Sequence, residues 1–323
     1  MKRSVVVVSI ALVLVISIAG RVCGDDDAAQ RLKVFLLAGQ SNMEGQGVVD
    51  LDHPKYYNAG RGILNNVAKR PGFAKKYPYL KNREGEWSVR DDVVVRFQTK
   101  DKLKRGGLSI GFTGYGEKHH IGPEFQFGHL LGEHLDDPIL LVKTAWGGKS
   151  LYQDFRPPSA GGQVGPYYQQ MLQEFAEALE HLGKDFPQYQ SHDYELSGFV
   201  WFQGWNDMGN EVAVKEYEEN LVHLIKDVRS HLQRPNLPVV VGELGNGGPE
   251  GSQSMLAIRA AQKAATLRPE FAGTVTFVET TDFARPAEAS PNVTHGHHWF
   301  GNAESYFLIG DAMGRTMLRL LTK

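Results

Sequence analysis

The sequence contains a single cysteine, Cys23, so no pair of thiols within the chain can form a disulfide. Its 323 residues are enough to bury a sizeable hydrophobic core without such a cross-link. Internal repeats, linkers and low-complexity segments are also lacking, and 41% of the residues are hydrophobic. These features exclude a fibrous, disordered or disulfide-rich protein, and we expect a single domain over residues 25–323.

Long hydrophobic runs are lacking as well. The apolar run over residues 5–19 is short for a membrane span, and it follows Lys2 and Arg3. An acidic stretch begins at Asp25. This arrangement is typical of a secretory signal peptide, so we predict that residues 1–24 are removed and that the mature chain is periplasmic or extracellular. A retained membrane anchor is the alternative.

Neither sign of charge is in large excess, since the formal net charge is −2. Loss of the leader would remove Lys2, Arg3 and Arg21 but no acid, which makes the mature chain more negative by three charges. A mildly acidic surface does not suit nucleic acid or an anionic membrane, so we expect neither as a partner.

Strands and helices alternate along most of the chain. The apolar run that starts at Val34 predicts a strand buried on both faces. Later apolar segments predict strands at 139–143, 198–202, 238–243 and 275–279, and periodic apolar residues predict helices at 123–133, 167–182, 214–232, 254–267 and 303–321. This alternation predicts an α/β fold with one parallel sheet and helices on both faces.

Residues 51–122 interrupt the pattern with a loop-rich insertion. Alternating Val93, Val95 and Phe97 indicate an extended segment inside it. An insertion of this length either shapes a binding site or is a surface excursion, and the sequence leaves both open.

Ser41 follows the first strand directly, after a turn at Gly39. A serine at the carboxyl end of a parallel strand lies where open α/β sheets place their ligands, which suits an exposed nucleophile. If a helix begins near Asn42, its free backbone N–H groups would face the same site. The alternative is that Ser41 only caps that helix.

Two later strands also end in polar, glycine-rich turns. The first, WGGKS at residues 146–150, offers unshielded backbone N–H groups of the kind that stabilise an oxyanion. The second, QGWND at residues 203–207, offers the amide of Asn206 as a second donor. Because the ends of parallel strands meet at one edge of a sheet, we expect both turns to lie beside Ser41.

A serine nucleophile needs a general base, and three histidines precede the last helix: His295, His297 and His298. Two alternatives are a solvated loop and a metal site. The absence of a nearby cysteine or a second histidine pair at ligand spacing argues against the metal.

Together these segments resemble the SGNH hydrolase superfamily, and within it the sialate O-acetylesterase and carbohydrate esterase family six (acetylxylan esterase-like) group. The resemblance runs from about Lys33 to the end of the chain, and its motifs are AGQSNM at 38–43, GPE at 122–124, GGKS at 147–150, WFQGWND at 201–207 and the His298 region. It implies a three-layer α/β/α sandwich with a central parallel sheet, of the flavodoxin-like kind. The lack of Gly-x-Ser-x-Gly around Ser41 argues against an α/β-hydrolase.

The resemblance also implies roles for individual residues. Ser41 would be the nucleophile and His298 the general base, with no metal and no cofactor. The oxyanion hole would comprise the N–H groups of Ser41 and of Gly148 (or Gly147) with the Asn206 side chain. Residues expected to contact the substrate are Gln40, Gln203 and Trp205.

One position departs from the superfamily pattern. Three residues before the catalytic histidine the superfamily carries an aspartate, but here that position is His295, which has no negative charge to stabilise an imidazolium. We predict Asp282 as the replacement carboxylate; Glu304, or a backbone carbonyl acting in a dyad, are alternatives. His297 is an alternative base.

The sequence therefore predicts an exported serine esterase that removes O-acetyl groups from a carbohydrate such as acetylated xylan or a sialate. A carbohydrate-binding protein with weak or no catalysis is the alternative, because of the missing aspartate. A lipid esterase would need a wide apolar groove, which the sequence does not indicate. Three tryptophans near the strand ends are candidates for stacking on a sugar ring: Trp146, Trp205 and Trp299.

Overall fold

The structure is a computed structural model, and it describes residues 31–322. The predicted signal peptide lies outside these residues. Within them, no helix is both long enough and apolar enough to cross a membrane.

The strands of the described region are β1 (Leu32–Gly39), β2 (Gly47–Val48), β3 (Val93–Gln98), β4 (Leu103–Gly107), β5 (His120–Ile121), β6 (Ile139–Ala145), β7 (Tyr194–Phe202), β8 (Val239–Gly242) and β9 (Val275–Val278). Its α-helices are α1 (Ser41–Glu44), α2 (Leu64–Ala68), α3 (Pro71–Lys76), α4 (Pro123–Gly132), α5 (Pro166–Glu180), α6 (Leu182–Asp185), α7 (Glu211–His231), α8 (Gln253–Thr266) and α9 (Ala303–Leu321).

Seven strands form one sheet in the order β4-β3-β6-β1-β7-β8-β9. Every neighbouring pair is parallel except β3 and β4, which form an antiparallel hairpin. The prediction of a parallel sheet is confirmed for the strands that alternate with helices. The loop-rich insertion adds the antiparallel edge, since it carries β3 and β4 into the same sheet.

Strand β1 lies at the centre and is buried on both faces, as its apolar run predicts. Its alternate side chains belong to two separate cores: Val34, Leu36 and Ala38 to one, Phe35 and Leu37 to the other. The first core is covered by α5, α7 and α8, and the second by α4 and α9. Each large apolar side chain buried in these layers contributes about 1.5–3 kcal/mol to folding. The three-layer α/β/α sandwich is therefore confirmed.

Candidate active site

The three turns that the sequence marks as chemical lie side by side in the structure. Strands β6, β1 and β7 are neighbours, so their carboxyl ends bring Gly147 and Gly148 to one side of Ser41 and Asn206 to the other. A cleft of about 700 Å³ opens over them, and His297 and His298 also line it. The structure thus assembles the predicted nucleophile, base and oxyanion donors around one space.

Ser41 is the first residue of α1, and Gln40 occupies the N-cap position. The interpretation of Ser41 as a helix cap is therefore wrong. The turn before it depends on Gly39, because a Cβ there would lie 2.1 Å from the carbonyl oxygen of Phe202 on the neighbouring strand β7. This close approach holds the serine turn directly above the end of the sheet.

Gln40 holds the Asn206 turn in place. Its Nε2 donates to Asn206 Oδ1 at 3.0 Å, and its Oε1 accepts from the backbone N–H groups of Gly204 and Asn206, each at 3.3 Å. Asn206 Nδ2 in turn donates to the carbonyl oxygen of Gly148 at 2.9 Å. Gln40 is only 2% exposed. Its side-chain amide is hydrogen-bonded to the Asn206 turn, beside which it was expected to contact the substrate.

Gln203 lies beneath the cleft and does not line it. Its Nε2 donates to Asp207 and to the carbonyl oxygen of Lys149. The Asp207 carboxylate also accepts from the N–H groups of Leu151 and Tyr152, each at 2.9 Å, and burial raises the pKa of Asp207 to about 6. Gln203 and Asp207 therefore join the two turns that flank Ser41; the sequence indicates no role for Asp207.

The His loop, residues 295–299, is held by polar side chains from three elements. Asn42 beside the nucleophile and Asn246 after β8 both donate to the carbonyl oxygen of His297, at 3.1 and 3.0 Å. Tyr306 on α9 donates to Asn42 at 2.8 Å. These contacts tie the base to the nucleophile's own turn, and they join positions too far apart in sequence to be recognised from local patterns.

The backbone after the predicted base is strained. Trp299 and Phe300 both have φ of +53°, in the left-handed region that costs a residue with a side chain roughly 1–2 kcal/mol. Trp299 is 2% exposed and packs in the core, so it is not available for a sugar ring. The strain persists because the surrounding contacts determine the backbone path of the His loop.

His298 is half-buried among aromatic rings. The His297 ring centroid lies 4.0 Å from its own, and that of His295 lies 6.4 Å away. Burial, followed by these two histidines, lowers the pKa of His298 to about 4. The imidazole is therefore neutral near pH 7 and able to accept a proton, as a general base must be.

Neither carboxylate considered for the missing aspartate lines the cleft. Asp282 is exposed on a 3-10 turn, where its carbonyl oxygen accepts from Arg285. The Glu304 carboxylate is bound by Arg70 at 2.8 Å and by Arg285 at 3.1 Å. Burial and the two neighbouring histidines are the causes of the lowered pKa of His298.

Across the described part of the chain, no group of three His, Cys, Asp or Glu side chains is arranged to hold a metal ion.

Aromatic and basic side chains form the other side of the cleft. The rings of Trp146 and Tyr167 lie 5.2 Å apart, and the Lys149 ammonium sits 4.3 Å from the centre of the Tyr167 ring. The ring centroids of Trp205 and His297 lie 5.8 Å apart, and both residues line the cleft. These rings are partly exposed and suited to stacking against a sugar ring.

Comparison with known proteins identifies the family of the chain. A family model described as carbohydrate esterase, sialic acid-specific acetylesterase, matches residues 31–307. The chain belongs to this family. The match confirms the family that the motifs indicated from the sequence.

Individual proteins similar to this chain cover most of its length. A probable carbohydrate esterase from Arabidopsis thaliana is 24% identical over 221 residues, which is 67% of this chain and 70% of the relative. A solved structure from Arabidopsis thaliana has a TM-score of 0.56 at 17% identity and covers 89% of this chain and 98% of its own. A carbohydrate acetylesterase from Xanthomonas citri has a TM-score of 0.53 at 16% identity, with 90% and 57% covered. The two structures show that the fold is shared.

Proposed function

We propose that this chain is a serine esterase that removes acetyl groups from a carbohydrate through an acetyl-enzyme intermediate. The observation that carries the proposal is the meeting of Ser41, Gly148, Asn206 and His298 in one cleft. Membership of a carbohydrate acetylesterase family supports the same chemistry.

In the first half-reaction, Ser41 Oγ attacks the ester carbonyl carbon while neutral His298 takes the hydroxyl proton. The bond to the sugar oxygen then breaks, and His298 returns the proton to that oxygen. Water repeats the attack on the acetyl-enzyme, His298 again carries the proton, and acetate leaves as Ser41 is restored.

The negative charge on the carbonyl oxygen needs donors already in place. Asn206 Nδ2 has one proton on Gly148 O and a second that is free to face the cleft. Gly147 lies against the Glu44 carboxylate, since a Cβ on Gly147 would be 3.0 Å from Glu44 Oε2, and this favours Gly148 as the glycine donor. We assign the oxyanion hole to Ser41 N–H, Gly148 N–H and Asn206 Nδ2.

We propose that Ser41 and His298 work as a dyad. The support is the location of Asp282 and Glu304 outside the cleft, together with the clamped carbonyl oxygen of His297. With the His loop held by Asn42 and Asn246, the imidazole is oriented by its backbone rather than by a carboxylate.

The substrate we propose is an acetylated xylan, a sialate or a related glycan. A sugar ring would stack on the partly exposed aromatic side formed by Trp146, Tyr167 and Trp205.

We also propose that the enzyme acts outside the cytoplasm after removal of residues 1–24. N-terminal sequencing of the exported protein should find a start at Asp25, whereas an intact leader on the exported protein would contradict this.

Acetate release from para-nitrophenyl acetate, acetylated xylan and an O-acetylated sialic acid tests the proposal. We expect Ser41→Ala and His298→Ala each to lower kcat by at least about a thousandfold. His53→Ala is the matched control, because His53 is exposed and outside the cleft. A folded wild-type chain that binds these glycans without releasing acetate would instead be a carbohydrate-binding protein.

A further inference from the structure

We propose that Tyr115 and Glu44 form a wall beside Ser41 that restricts the acyl group of the substrate to acetyl. This inference rests on the proposed function, because it assigns the acyl side of the same cleft. We refer to the two side chains as the Tyr115–Glu44 wall.

The wall stands directly against the nucleophile. Glu44 lies one helical turn after Ser41 in α1, and the Tyr115 hydroxyl donates to Glu44 Oε2 at 2.9 Å. The Tyr115 ring also faces the ring of His298, with 6.3 Å between centroids. All four residues line the cleft, so the wall extends from the base to the serine turn.

Two glycines show how tightly the wall is packed. A Cβ on Gly147 would lie 2.6 Å from the Tyr115 hydroxyl, 3.0 Å from Glu44 Oε2 and 3.6 Å from Ser41 Cβ. A Cβ on Gly114 would lie 2.6 Å from Glu44 Oε1. The Glu44 carboxylate therefore packs against the backbone of two glycines, in space that a Cβ on either residue would fill.

The backbone that carries the wall is also anchored. The Lys143 ammonium donates to the carbonyl oxygens of Glu44 and Phe112, at 3.0 and 2.7 Å. Gly114 N–H donates to the same Glu44 oxygen at 3.2 Å, and the Thr113 hydroxyl donates to the Tyr115 carbonyl oxygen at 2.6 Å. One buried ammonium thus holds both the serine turn and the segment that carries Tyr115.

The position of the sugar follows from the shape of the cleft. At a tetrahedral carbon the acyl and alkoxy groups point in different directions. The aromatic side, with Tyr167 and Trp205, offers rings on which a sugar ring can stack. The acyl group is then directed toward the Tyr115–Glu44 wall, where acetyl fits and longer chains meet the tyrosine.

A series of para-nitrophenyl esters tests the wall, since acetate, butyrate and hexanoate share one leaving group. Wild type should prefer acetate to butyrate in kcat/KM by roughly tenfold or more. Tyr115→Ala should reduce that preference about tenfold by opening the wall, and Tyr115→Phe, which keeps the ring, should retain most of it. Tyr56→Ala is the matched control, because Tyr56 is 61% exposed and outside the cleft.

An unchanged acetate-to-butyrate ratio in folded Tyr115→Ala overturns the inference, even if all rates fall together. Equal wild-type rates on acetate and hexanoate overturn it as well. If Tyr115→Ala does not fold, Tyr115→Leu carries the same test and should show an intermediate ratio. A wild-type chain that releases acetate but fails these tests leaves the proposed esterase intact, whereas no release from any ester contradicts both.

Discussion

The side chain of Gln40 is hydrogen-bonded to the side chain of Asn206, with Nε2 donating to Oδ1 at 3.0 Å. Gln40 immediately precedes the proposed nucleophile, and Asn206 is a proposed oxyanion donor. One contact between the ends of β1 and β7 therefore fixes the position of the proposed oxyanion donor relative to the proposed nucleophile. A donor that is fixed in position by the protein itself is the condition for an efficient oxyanion hole.

Removing the amide of Asn206 should affect the transition state far more than the fold. An oxyanion donor is worth about 3–4 kcal/mol, so we expect Asn206→Ala to lower kcat on para-nitrophenyl acetate by about two to three orders of magnitude. Asn236→Ala is the matched control, because Asn236 is exposed. Near-wild-type turnover in Asn206→Ala would remove Asn206 from the oxyanion hole.

Gln40 should act through Asn206 and not by binding the sugar. We expect Gln40→Ala to lower kcat by roughly ten- to a hundredfold with little change in KM, since a displaced donor weakens transition-state binding alone. The same substitution in an Asn206→Ala background should cost much less, because the two residues share one contact. A rise in KM with unchanged kcat would restore Gln40 to the substrate-contacting role expected from the sequence.

The acid limb of the pH profile should reflect the low pKa of His298. The base is active when neutral, so kcat/KM should hold as the pH falls below the ordinary imidazole range and drop only near a pH of about 4. We expect His295→Asp to place a carboxylate near the ring, favour the imidazolium and move the acid limb to higher pH. His295→Ala, which adds no charge, is the control. An identical acid limb in both variants would show that residue 295 does not influence the base.

Lys143 and Glu124 form a buried ion pair at 2.7 Å, and both side chains are fully buried. We expect Lys143→Met to lower the free energy of unfolding by about 3–5 kcal/mol, because it leaves the buried Glu124 carboxylate without its cation. The double variant Lys143→Met/Glu124→Leu should be less destabilised, since neither charge remains. Urea unfolding followed by circular dichroism measures both. Equal stabilities of the single and double variants would contradict this account.

The sequence predicted the parts of the site that depend on local order. Ser41, Gly148 and Asn206 each follow an apolar strand through a glycine-containing turn, and parallel strands necessarily bring such turns to one edge. The strand and helix pattern was equally accessible, because burial on one or two faces leaves a clear periodicity. These signals are short-range, so one sequence suffices to recognise them.

What the sequence did not predict depends on contacts between distant segments. Tyr115 meets Glu44 across 71 positions, and Asn42 meets the His loop across 255. Gln203 was expected to contact the substrate but lies beneath the cleft. The sequence could not show this, because a glutamine in a turn gives no sign of which way its amide faces. Asp282 was chosen for its nearness in sequence to the base, and the chain carries it to the exposed side of a 3-10 turn instead.

The hydrogen bonds from Lys143 to two segments predict how heating should inactivate the protein. The serine turn and the Tyr115 segment are hydrogen-bonded to the same ammonium, so displacement of that ammonium loosens both. Thermal inactivation should then remove turnover and acyl selectivity together. During heating, the enzyme would keep its preference for acetyl esters until turnover is lost. No intermediate state would accept longer acyl chains.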